Sequence, residues 1–305
     1  MTESFFTVFF QMLALLLLIG TGFFATKRGL YDSHTNAKMS NLIVKIFNPL
    51  LIISSAENAV GRIPKQTLAL VLLIACGAFA IFILLGIIFS PIFERSKEKR
   101  PVFQMMFVFS NLGFIGIPVV QTILGEEFVV YVTEFILIYT IIFYSYGVAL
   151  VNGSFSVKAL KALFNPGMIA AILALFIVIF DIKFANFLKT AISYLAGVTS
   201  PMALFVVGFS LANSDLKKVF GDVRIYLFAI LKLLVIPLLL LPLLRLVTAD
   251  KNLIALCMVM FGMPVGNLPL ILLEQKGIDS SACSSSIILT TLFCVFTIPI
   301  LLLFA

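Results

Sequence analysis

Two short stretches hold the residues best suited to chemistry. One reads Ser110-Asn111-Leu112-Gly113-Phe114-Ile115-Gly116-Ile117-Pro118, the other Phe261-Gly262-Met263-Pro264-Val265-Gly266-Asn267-Leu268-Pro269. Each places Gly and Pro close together inside an apolar run. Proline lacks an amide proton and glycine lowers the cost of leaving a helix, so each stretch predicts an interrupted helix. In hydrocarbon the freed backbone groups need protein, water or a ligand as partner. Asn111 and Asn267 add neutral side chains that both donate and accept. A helix restarting after such a break offers partial positive charge at its N-terminus without a fixed Arg or Lys. That chemistry is recognition of a carboxylate or similar organic anion, not bond making. The candidate binding residues are Asn111, Gly116, Pro118, Gln121, Pro264, Asn267 and Pro269. Gln121 follows Pro118 by three residues, on the same helical face.

Catalytic and cofactor chemistry has little to stand on. The sole histidine, His34, falls in a short polar stretch expected to be a loop. There is no His/Cys cluster for a metal, no Walker-type glycine loop for ATP and no Ser/His/Asp arrangement. No cofactor is expected, and without a P-loop the chain is not a self-contained ATP-driven pump.

The elements that position these stretches follow from composition. Of 305 residues, 62% are hydrophobic and 11% charged, against about 45–50% apolar and roughly 25% charged in soluble domains. That excess excludes a soluble enzyme or nucleic-acid binder and makes the lipid bilayer the main partner. A bilayer core of about 30 Å takes about 20 apolar residues per helix. Apolar runs predict ten spans, at roughly 4–26, 40–57, 66–92, 102–124, 127–150, 166–181, 184–212, 223–248, 251–274 and 279–304. The intervening segments 31–41 and 213–222 read as interfacial linkers. All four cysteines lie in or beside apolar stretches and are expected to be buried free thiols.

Thirteen Lys and Arg fall in odd-numbered connections, six in even-numbered ones. This bias predicts odd connections in the cytoplasm and both termini outside. Five spans precede the 151–165 connection and five follow it. Two halves of odd span number insert with opposite orientation, which is the arithmetic of an inverted repeat. The expected organisation is a first five-helix repeat over 1–150, a short connection over 151–165 and an inverted second repeat over 166–305. The second span of each half carries a mid-helix proline, Pro49 and Pro201, and the fourth is broken.

At these residues the chain resembles the auxin efflux carrier family, which includes plant PIN auxin transporters and bacterial malate and malonate permeases. The matching stretches are SNLGFIGIP at 110–118, GMPVGNLP at 262–269, FNPLLI at 47–52, SPMALFVVGFSLA at 200–212 and LFNPGMIAAILAL at 163–175. The resemblance implies an all-α membrane protein of ten transmembrane helices in two inverted five-helix repeats. Its broken fourth and ninth helices cross near the midplane. It also implies prolines at the crossing and nearby asparagines that hold the substrate carboxylate. Asn111 and Pro118 match in the first crossing arm, and Asn267 with Pro264 or Pro269 in the second. The long cytoplasmic loop of plant PINs is missing, so the chain is similar to the bacterial members.

The expectation is a secondary transporter of a small organic anion, working by alternating access in the plasma membrane. Glu134 is an intramembrane carboxylate and the candidate group for proton or sodium coupling, the alternative being a side chain that snorkels or hydrogen-bonds near the outer interface marked by Glu126 and Glu127. Lys45 and Lys232, each within about two turns of a helix start, are expected to snorkel to the interface, the alternative being a salt bridge to a transport carboxylate. Asn48, Ser54, Ser55, Thr199, Ser200 and Ser210 flank the two second-span prolines and are expected to serve helix packing. Lipid-facing Phe and Leu would allow a homodimer. The competing classes are a transporter-like sensor that binds without net transport, and an intramembrane enzyme.

Overall fold

The computed structural model describes residues 5–155, 161–214 and 216–305. The middle of the 151–165 connection lies outside them. The chain is all-α. Among the described residues seven helices are long and apolar enough to cross a membrane: α1 (Phe5–Lys27), α2 (Ser33–Ala59), α3 (Lys65–Phe93), α6 (Glu126–Asn152), α8 (Asn186–Ala212), α10 (Val223–Val247) and α13 (Ser281–Leu302). Between them lie the shorter helices α4 (Arg100–Val108), α5 (Leu112–Ile123), α7 (Pro166–Ile179), α9 (Leu216–Gly221), α11 (Lys251–Phe261) and α12 (Asn267–Gln275).

The apolar helices bury one face and give the other to lipid. In α1, Val8, Met12, Leu15, Ile19 and Gly22 are buried, a spacing of three and four that keeps them on one side. Phe6, Phe10, Leu17 and Phe24 are exposed. The α1 face packs on α8 and α13, and α2 packs on α7 and α8. At the α1–α8 contact, Gly22 and Gly208 let the two backbones touch. A Cβ on Gly22 would meet the Phe205 carbonyl, and one on Gly208 the Ile19 carbonyl and the Phe23 amide. Small residues permit such an approach where lipid supplies no hydrophobic drive between helices. Helices α1, α2, α7 and α8 thus form one packed group. In the other, α3 packs on α4 and α6, while α10 packs on α11 and α13.

Prolines sit inside these helices without breaking them. Pro49, Pro118 and Pro237 each follow a five-residue π-turn by two residues, the turns being Ile43–Phe47, Leu112–Gly116 and Leu231–Val235. Proline cannot donate to the residue four back and its ring crowds that carbonyl. The wider π-turn absorbs both defects.

Three expectations need correction. Residues 33–41, read as a linker because they are polar, are the first turns of α2. Asp32 caps them by accepting from the Thr35 amide at 2.8 Å, so His34 is helical. None of Ser33–Leu42 is buried, and their polarity reflects solvent instead of a lost helix. Cys257, Cys283 and Cys294 are buried and free, but Cys76 is exposed on α3. Lys45 is exposed, whereas Lys232 is 3% exposed and does not snorkel.

Candidate functional site

The interruptions form where the sequence places Gly, Pro and Asn, and they interrupt by crossing each other. The first, Phe109 to Asn111, separates α4 from α5; the second, Gly262 to Gly266, separates α11 from α12. Ser110 and Val265 pair as an isolated antiparallel bridge. The Asn111 amide donates to the Pro264 carbonyl at 2.7 Å, and the Gly266 amide donates to the Phe109 carbonyl at 2.9 Å. Each break therefore satisfies backbone groups that the other exposes. Glycine is needed at 266, since a Cβ there would lie 2.9 Å from the Ser110 carbonyl oxygen.

Side chains take up what remains. The Lys232 ammonium, from the middle of α10, donates to the Phe107 carbonyl at 2.9 Å and to Ser110 Oγ at 3.0 Å. It thus lies at the carbonyl end of α4, where a cation is favoured. On the second arm, the Val265 amide donates to Thr290 Oγ1 at 3.1 Å, and the Thr290 hydroxyl donates to the Ser286 carbonyl. Asn111 caps α5, its Oδ1 accepting from the Phe114 amide at 3.1 Å. Asn267 opens α12.

The starts of α5 and α12 meet at a cavity of about 720 Å³. Ser110, Asn111, Gly266 and Asn267 form its floor, and α2 faces them with Asn48, whose buried Oδ1 has no hydrogen-bond partner among the described residues. Tyr139, Phe143 and Tyr144 of α6, with Phe209 of α8, line its flanks. Asn36 in the first turn of α2, Asn165 before α7, Asn213 after α8 and Glu274 near the end of α12 also line it. Among the described residues that line it there is no Lys or Arg. At the other end of the helices the same elements are tied together. Lys189 pairs with the buried Glu57 at 2.5 Å. Ser54 and Ser55 donate to Glu126 at 2.9 and 2.6 Å, and Ser200 donates to Gln121 at 2.8 Å. None of these residues lines the cavity.

The family model described as Membrane transport protein matches residues 7–156 and 154–302. The chain belongs to that family. A relative, an uncharacterized transporter of Methanocaldococcus jannaschii, is 25% identical over 306 residues, covering 95% of this chain and 96% of the relative. Membership places this membrane transport protein among transporters and not in an enzyme family.

Of the residues singled out from sequence, the structure brings Asn111 and Asn267 together at the cavity. Pro264 contributes its carbonyl to the crossing. Gly116 is buried, with Met260 and Met263 the neighbouring side chains nearest to where a Cβ would stand. Pro118 lies inside α5, seven residues past Asn111, and Pro269 lies inside α12. Gln121 is held by Ser200 on the side away from the cavity. Glu134 is 1% exposed within α6, and neither carboxylate oxygen has a hydrogen-bond partner among the described residues. Gly116, Pro118, Gln121, Pro264, Pro269 and Glu134 do not line the cavity.

Sequence reasoning misplaced Lys232 at the interface and missed Thr290 and the cavity asparagines Asn36, Asn165 and Asn213. An intramembrane lysine was the available signal for the first. Thr290 sits among many hydroxyls of α13, and nothing in its spacing distinguishes it.

Proposed function

We propose that the protein is a secondary transporter of a small organic anion, a carboxylate or dicarboxylate, held where the two broken helices cross. The observation that carries this is the convergence of two helix N-termini, with Asn111 and Asn267, on one cavity with no lining cation among the described residues. Amides and carboxamides there donate to an anion while leaving it free to depart, as transport requires.

Counting each broken pair as one passage makes ten passages, in repeats over 1–150 and 166–305 joined by 151–165. The contacts support an inverted repeat. Exchanging each passage for its counterpart turns the α1–α8 contact into α7–α2, α3–α6 into α10–α13, and α1–α13 into α7–α6, and all six occur. The crossing exchanges with itself. Two ion pairs among the described residues join connections of like parity: Lys65 with Asp181, and Lys99 with Asp279. With odd connections cytoplasmic, the cavity opens inward and the Glu57–Lys189 end is closed to the outside. Alternating access would move the crossing helices against the α1, α2, α7 and α8 group in the plasma membrane. Glu134, buried without a partner, is the candidate for proton coupling.

The test is flux in proteoliposomes with labelled dicarboxylates and aromatic acids. Wild type is expected to take up at least one acid. Asn111→Ala with Asn267→Ala is expected to abolish binding while the protein remains folded; normal uptake by that double variant overturns the assignment. Asn111→Ala alone also loses the α5 cap, so it is expected to cost about 1 kcal/mol of stability that Asn267→Ala does not.

A further inference from the structure

We propose that Lys232, acting through Ser110, makes the cavity selective for charged over neutral ligands; this deepens the organic-anion reading and rests on it. Lys232 reaches the crossing from α10 behind the cavity floor, without entering the lining. Among the described residues no Asp or Glu pairs with it. A buried ammonium in a membrane protein is costly unless its charge is used or balanced. The Phe107 carbonyl and Ser110 Oγ accept two of its three protons but do not neutralise it.

Ser110 connects this charge to the ligand. Its Oγ accepts from the ammonium, so its own O–H must point elsewhere. No described residue accepts that proton, and Ser110 lines the cavity. A hydroxyl that accepts a charge-assisted hydrogen bond is polarised into a stronger donor. The Ser110 hydroxyl therefore donates to a cavity-bound carboxylate, beside the Asn111 and Asn267 helix starts. Lys232 supplies the countercharge one bond behind it. In this arrangement Lys232 is a positioning residue and Ser110 a ligand contact. The competing account is that Lys232 only caps the freed Phe107 carbonyl.

The experiment is calorimetric binding to the purified full chain, with benzoate and malonate as acids and benzamide and malonamide as their neutral counterparts. Wild type is expected to bind at least one acid more tightly than its amide. Ser110→Ala keeps the Phe107 cap, and it is expected to weaken acid binding about tenfold or more with amide binding unchanged. Lys232→Met should lose the same preference, and Lys232→Arg should restore it. Acid binding by Ser110→Ala equal to wild type overturns the proposal. So does an equal loss of acid and amide in Lys232→Met, which is the signature of the cap alone. If Lys232→Met does not fold, Ser110→Ala decides. A wild type that binds neither acid, or prefers the amides, overturns the organic-anion reading itself.

Discussion

At the first interruption an ammonium, Lys232, takes up the exposed carbonyl of Phe107; at the second a hydroxyl, Thr290, takes up the exposed amide of Val265. The backbones of the two arms are alike, each donating one amide across the crossing. Their supports differ. A carbonyl needs a donor and an amide needs an acceptor, and only the first arm meets its need with a charge. The crossing is therefore close to symmetric in shape and one-sided in electrostatics.

Four substitutions break or sharpen that contrast. The largest effect is expected from Gly266→Val, because even its Cβ would stand 2.9 Å from the Ser110 carbonyl and 3.1 Å from that of Phe109. Forcing the arms apart should cost about 3 kcal/mol or more, seen as loss of the monodisperse peak in detergent. Gly116→Ala on the first arm has the flexible Met260 Cε as its nearest neighbour, at 3.4 Å, and should cost under about 1 kcal/mol. Equal damage from the two would refute the close-approach argument.

Next come the supports themselves. Thr290→Val leaves the Val265 amide buried without an acceptor, at about 1–3 kcal/mol. Lys232→Met opens one carbonyl but removes a buried charge, so its melting temperature should fall less than that of Thr290→Val. The opposite order would mean that Lys232 is chiefly structural.

The third contrast is between the open and tied ends of the helices. Glu57→Gln removes a pair worth about 1 kcal/mol, which shifts a two-state population about fivefold. A cysteine introduced at Ser54 should then react faster with an impermeant maleimide from outside; an unchanged rate argues that the pair closes nothing.

The smallest effect lies at the surface. Hydrogen bonds from Ser281, with a further one from Lys99, hold the Asp279 carboxyl below its usual range. A lowered pKa stabilises above the unfolded value, about 4, and that contribution fades as pH falls through the lowered value. The wild-type melting temperature minus that of Asp279→Asn should be constant near neutral pH, small, and shrink only in acid.

The seven long helices were legible because each holds a long apolar run, and the breaks because Gly and Pro cluster there. Residues 33–41 were not, since polar composition was mistaken for loop although Asp32 announces a cap. Pro118 drew attention from the true break at Phe109 to Asn111, because sequence does not reveal that a π-turn lets a proline stay helical. Lys232 was misread for a related reason. Sequence gives depth along a helix but not which face a residue occupies, and α10 turns Lys232 toward the crossing. Asn36 in the first turn of α2, Asn165 before α7 and Asn213 after α8 are far apart in sequence, and only packing brings them to one cavity.

The glycine seam between α1 and α8 has a consequence for biosynthesis. Gly22 and its partner Gly208 are separated by most of the first repeat and part of the second. At translation rates of roughly 5–20 residues per second, α1 waits about 10–40 s in the bilayer before α8 exists to receive it. During that interval lipid must cover the face that later lies backbone to backbone. A nascent chain halted after the first repeat would leave that groove unfilled, open to quality-control proteases or to the wrong helix.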